Sequence, residues 1–195
     1  MAGDAMIFER ILTLLRRINH GIALAVGVLL ALTVAFILLD ITLRQLGGSL
    51  GGSSEISGYV MAATASWGLS FALIELAHVR IDFLRLRLHT WGRIVMDLLA
   101  IGSLAATTVV VAVQTWPVLG KSLESNARAN TPLETPLWIP QTIWFSGWVW
   151  FALTASLMLL CAIGLLASGR LQAFDDQYGT VSEAGAKDSE QEAAQ

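Results

Sequence analysis

Charged positions cluster along this chain and leave four long stretches without any. Residues 18–39 hold 22 uncharged residues between Arg17 and Asp40, and residues 56–74 hold 19 before Glu75. Residues 98–120 hold 23 between Asp97 and Lys121, and residues 135–169 hold 35 between Glu134 and Arg170. About 20 apolar residues cross a hydrocarbon core of about 30 Å as a helix. None of the stretches alternates with the period of two that a membrane β-strand requires. The pattern predicts an all-α integral membrane protein with four transmembrane helices, at about 18–43, 56–77, 94–117 and 138–167. Together these make a membrane domain over residues 18–168.

Composition agrees. Of 195 residues, 55% are hydrophobic and 14% charged, with 17 glycines, against roughly 25% charged in soluble domains. A soluble core of this size could not hide so much apolar surface, which excludes a soluble enzyme or a nucleic-acid binder. The first run is longer than a signal-peptide core, and no small-residue cleavage site follows it before Asp40 and Arg44, so it reads as an uncleaved helix. The single cysteine, Cys161, lies inside the fourth span and leaves no partner for an intrachain disulfide.

Lys and Arg set the expected orientation. Arg10, Arg16 and Arg17 precede the first span, and Arg80, Arg85, Arg87 and Arg93 fill the connection after the second. The opposite side has only Arg44, Lys121 and Arg128. Seven cations against three place both termini and the middle connection in the cytoplasm. Trp116, Trp138, Trp144 and Trp148 then gather toward the outer ends of the last two spans, as an aromatic belt would.

Outside the spans, residues 1–17 carry Ile7, Ile11, Leu14, Leu15 and Ile18 at helical spacing, with Glu9, Arg10, Thr13, Arg16 and Arg17 on the other face. Two readings fit: an amphipathic helix lying in the inner interface, or a cytoplasmic extension of the first span. The middle connection, 78–93, fits a helix through Ile81, Leu84, Leu88 and Trp91 and equally an extended start through Val79, Ile81 and Phe83. Residues 169–195 hold six acids against Arg170 and Lys187, a net −4 within a total of −3. With almost no apolar residues beyond Tyr178, this tail is expected to be disordered in the cytoplasm.

Candidate chemistry is sparse. No H-E-x-x-H motif or phosphate-binding glycine loop is present, and the glycine-rich turn 47–53 lacks the Gly-Lys-Ser/Thr that a phosphate cradle needs. No catalytic, metal or cofactor site is assigned. His20 and His78 stand near the inner face at opposite ends of a helical hairpin, so a membrane anchor with b-type haem between them is the alternative reading. A transport path would show as ionisable residues mid-membrane. Asp40, Arg44, Glu55, Glu75 and Asp97 all fall at span ends, where side chains are expected to snorkel to water. Arg44 ends span one and Glu55 begins span two on the same outer side, within reach of a pairing across the hairpin mouth. His78, Arg80 and Asp82 form a second polar group at the inner end.

Arg44, the glycine-rich turn, Ser-Ser-Glu55, Trp67-Gly68 and then Ala77-His78-Val79-Arg80-Ile81-Asp82-Phe83-Leu84 occur in an order that resembles the small membrane subunit of the tripartite ATP-independent periplasmic (TRAP) transporters. The entry Pro136-Leu-Trp-Ile-Pro140 to the last helix is similar too, and the resemblance covers about residues 10–168. Gln45 and Glu75 depart from it, standing where an aromatic and a basic or small residue are common. The resemblance implies a non-catalytic subunit of a sodium-driven importer of organic acids in a bacterial inner membrane. Its partners would be a large membrane subunit, which this chain braces, and a periplasmic substrate-binding protein, which it helps dock. Arg44, Glu55, His78, Arg80 and Asp82 would then be interface-fixing groups that do not touch substrate.

Overall fold

The computed structural model describes residues 2–75 and 88–169 together with Phe174. Among them, four helices are long and apolar enough to span a membrane: α1 (Ala2–Gln45), α2 (Ser53–Ile74), α3 (Thr90–Glu124) and α4 (Trp138–Ala167). Each uncharged run lies within one helix or nearly so, because a backbone surrounded by lipid must satisfy its own hydrogen bonds. The helices overrun the apolar stretches where water can take over that task. α3 begins at Thr90 and continues through Pro117 to Glu124, past the end expected near 117. His78, Arg80 and Asp82, and both readings of the middle connection, fall largely outside the described residues.

The N-terminal segment is continuous with the first span. At about 1.5 Å per residue the 44 residues of α1 reach about 66 Å, twice the hydrocarbon thickness. Leu12 and Leu15 are buried in the core cluster with Leu73, Met158, Ala162, Leu165 and Phe174. Gly164 lies so close to the Phe8 ring that a Cβ there would overlap it. The segment therefore packs on its own bundle.

In space α1 packs on α2, α2 on α4, and α4 on α3, with a smaller α1–α4 contact. α4 takes the centre because it is apolar all round. It is the most buried span and α1 the least, so the outer faces of α1 lie exposed on the bundle. Lipid tails are as apolar as leucine, so helices in a bilayer associate through close packing and polar bonds between helices. Both are present. Ala155 and Ala162 of α4 are fully buried, and a Cβ on Gly147 would overlap Ser66. Trp67 donates its indole N–H to the carbonyl of Ile143 at 3.0 Å. Trp150 donates to Asn19 Oδ1 at 3.2 Å, while Asn19 Nδ2 donates to the Leu15 carbonyl at 2.9 Å. The core cluster occupies the half of the bundle remote from the two turns, 46–52 and 125–137.

Candidate functional site

Both turns lie at one end of the bundle, where Asp40 holds the first and Glu55 lies beside the second. Asp40, 1% exposed, sits one turn before the end of α1. Its Oδ1 accepts from the backbone N–H of Leu50 at 2.8 Å and from Ser49 Oγ at 3.1 Å. Its Oδ2 accepts from Ser53 Oγ at 2.7 Å and pairs with Arg44 Nη2 at 2.8 Å. Arg44 also donates to Ser53 Oγ at 3.3 Å. One aspartate thus ties the end of α1, the turn and the start of α2 together. The turn can follow this path because Gly47, Gly51 and Gly52 take positive φ, at 84°, 70° and 65°, which a Cβ would oppose.

Of the two carboxylates near Arg44, it is Asp40 and not Glu55 that forms the ion pair. Asp40 and Arg44 lie four apart on one helix face, where side chains meet without any tertiary cost, and the short turn brings Ser53 to the same guanidinium. Asp40 is also buried, so it does not snorkel. The same holds for Asp97, 5% exposed, two turns into α3.

Glu55 lies beside the other turn. It is 9% exposed and accepts from Tyr59 Oη at 2.7 Å through Oε1. Thr131 and Thr135 of the second turn stand beside its carboxylate, although Oε2 meets no donor in hydrogen-bonding geometry. That turn is closed on itself: Ala129 N–H donates to the Thr135 carbonyl and Leu137 N–H to the Ala127 carbonyl, both at 2.9 Å. Asn126 and Glu134 adopt φ of 47°. Leu133 projects onto Gly52, where any Cβ would overlap it, so the two turns touch directly.

At the other end, His20 lies edge-on to Phe71 with ring centroids 5.2 Å apart, and its Nδ1 is 3.8 Å from Glu75 Oε1. His20 and Glu75 are both well exposed. His78 is outside the described residues, and no group of three or more metal-binding side chains occurs among those described. The haem reading gains no support here. Reasoning from sequence missed Asp40 and Asn19 as structural centres. The i,i+4 spacing of Asp40 and Arg44 before a Ser- and Gly-rich turn was the available signal for the first. Asn19 offered none beyond being an uncharged polar residue at the start of a span.

Ion pairs, hydroxyls and backbone donors at the turn end are thus committed to the chain's own architecture. A family model described as tripartite ATP-independent periplasmic transporters, DctQ component, matches residues 33–167. No curated protein and no solved structure gives a match. The matched region begins just before Asp40 and ends with α4, so it contains the whole lock of the two turns. The chain belongs to the DctQ family, the small membrane component of TRAP transporters.

Proposed function

We propose that this chain is a non-catalytic scaffold within a sodium-driven importer of organic acids. It braces the large membrane subunit and helps a periplasmic binding protein dock at the turn end. The observation that carries this reading is the commitment of Asp40 and Arg44 to the first turn, with Glu55 bonded to Tyr59 of its own helix. A carrier needs ionisable groups that can exchange partners along a path, whereas these three make a rigid, polar end on an apolar bundle. Rigidity at that end suits a bracing role and a docking platform. The Arg and Lys distribution supports placing the turns in the periplasm and the termini in the cytoplasm of a bacterial inner membrane.

Contact with the large subunit is assigned to the outward face of α2. Ser54, Gly58 and Ala65 are exposed there, and a Cβ on Gly58 or Gly68 would meet nothing. α2 is also the least apolar of the four spans, which disfavours full lipid exposure, and small residues let a partner helix approach closely. His78, Arg80 and Asp82 are proposed to fix the interface at the inner end.

The test is co-purification of the tagged chain from its native membrane in mild detergent, with transport measured in vesicles. Wild type should bring down a large polytopic protein, and Ala65→Trp should recover less of it. Glu55→Gln should weaken assembly or uptake while leaving substrate preference unchanged. A variant that alters which substrate is taken up would refute the scaffold assignment.

A further inference from the structure

The fourth span does not run straight out into water. α4 ends at Ala167, and Gly169 follows at φ 69° with its N–H donating to the Leu166 carbonyl at 3.0 Å. A glycine in the left-handed region turns the chain off the helix axis. Phe174, five residues later, is 1% exposed and belongs to the same buried cluster as Leu12, Leu15 and Leu165. The chain beyond α4 therefore returns to the N-terminal stretch of α1. Leu12 and Leu15 mark the buried side of that stretch, and its remaining surface is cationic. Residues 10–17 hold Arg10, Arg16 and Arg17 and no acid. All three are exposed, and no ion pair among the described residues involves any of them. Arg16 is four residues from Leu12 and stands one turn along the same side, while Arg10 and Arg17 share the opposite face.

We propose that residues 175–183 dock on this cationic stretch of α1 and clasp the two ends of the chain together. They read Asp-Asp-Gln-Tyr-Gly-Thr-Val-Ser-Glu, three acids and no cation, against three cations and no acid in residues 10–17. Chain connectivity supplies the proximity. Consecutive Cα atoms are about 3.8 Å apart, so Asp175 and Asp176 lie within about 8 Å of the buried Phe174, on the side of α1 where Arg16 stands. Glu183, nine residues on, has up to about 30 Å of reach. That is enough to pass round a helix about 10–12 Å across to Arg10 and Arg17. Anionic phospholipid is the competing occupant, since it also pairs with arginine. Two observations favour the tail. Phe174 tethers it, which holds its acids at an effective concentration of about millimolar or more. Arg10 also stands about 12 Å along the axis before the apolar run opens at Ile18, beyond a head-group layer about 5–8 Å thick. Exposed pairs are individually weak and screened by salt, so the clasp depends on several acting together with the Phe174 anchor. It ties α1, the least buried span, to the chain that follows α4, and it is independent of the scaffold reading.

The experiment uses the whole chain in its native membrane, with its partners present. Arg16→Lys puts an amine in place of the guanidinium, and a carbodiimide joins an amine to a carboxylate only where the two are already in contact. Mass spectrometry of the digest should find the Arg16→Lys position joined to Asp175, Asp176 or Glu183, with a severalfold lower yield at high salt. Lys121, a natural amine at the turn end, should give no link to these acids. The double variant Asp175→Asn, Asp176→Asn keeps Phe174 in place and tests the charges alone. Thermal unfolding in detergent should show that salt lowers the Tm of wild type more than that of the double variant. A link from the Arg16→Lys position to lipid, to another polypeptide or to the middle connection alone overturns the clasp. So does the absence of any link, or an equal effect of salt on the two proteins.

Discussion

Asp40 accepts from three groups, Ser49, Leu50 and Ser53, that reach it only because the chain reverses at 46–52. Its fourth partner, Arg44, would be beside it in any helix. Replacing the two residues should therefore have unequal effects. Asp40→Ala removes the acceptor of a backbone N–H and two hydroxyls, of which that of Ser53 is buried, whereas Arg44→Ala removes a guanidinium whose side chain is 56% exposed. Thermal unfolding in detergent should show a larger fall in Tm for Asp40→Ala, and proteolysis should cut its first turn faster. Equal falls would mean that the ion pair alone stabilises the turn. Gly52 offers a cleaner dissection. Gly52→Ala should cost roughly 1–2 kcal/mol for its left-handed backbone, plus the overlap with Leu133. Adding Leu133→Ala should recover the overlap and not the backbone strain, which a double-mutant cycle reads as coupling. Sequence showed which residues are polar and how far apart they stand. It did not show that Leu133, 81 residues beyond Gly52, would come to rest on it.

The four helices were legible because a charge in lipid is expensive and the uncharged runs are long. Their ends were less legible, since beyond the hydrocarbon either water or the helix can satisfy the backbone. Thus α3 runs through Pro117, and α1 extends back to Ala2. Which small residues face inward was not legible at all. Ala63 and Ser66 are buried, while Gly58 and Ala65 on the same helix are exposed. The crossing of α2 and α4 fixes that choice, at Gly147 against Ser66. Gly147→Leu should destabilise the bundle by about 1–3 kcal/mol or more through overpacking, with Gly58→Leu close to neutral in the isolated chain. Unfolding of both variants in the same detergent compares them. Trp150→Phe should cost about 1 kcal/mol by leaving the buried Asn19 amide oxygen without its donor.

At the scale of the whole molecule, the most uniformly apolar helix, α4, packs against each of the other three. Both turns then meet at one end, where docking is proposed. The orientation is testable with impermeant thiol reagents in a Cys161→Ser background. Leu46→Cys, in the first turn and well exposed, should label from the periplasmic side of intact cells. Arg16→Cys, exposed at the other end, should label only after lysis; the reverse pattern would invert the chain in the membrane. The sequence by itself determined the solvent of this protein, the number of spans, the charge asymmetry behind its orientation, and enough of the motif order to resemble its family. Those properties depend on local composition and on transfer free energies summed over single segments. Only the tertiary structure decided that Asp40 rather than Glu55 holds Arg44, that Glu55 comes to lie beside the second turn, and that Leu133 rests on Gly52. These depend on which helix faces meet, and residue type at one position does not encode its neighbour across the bundle.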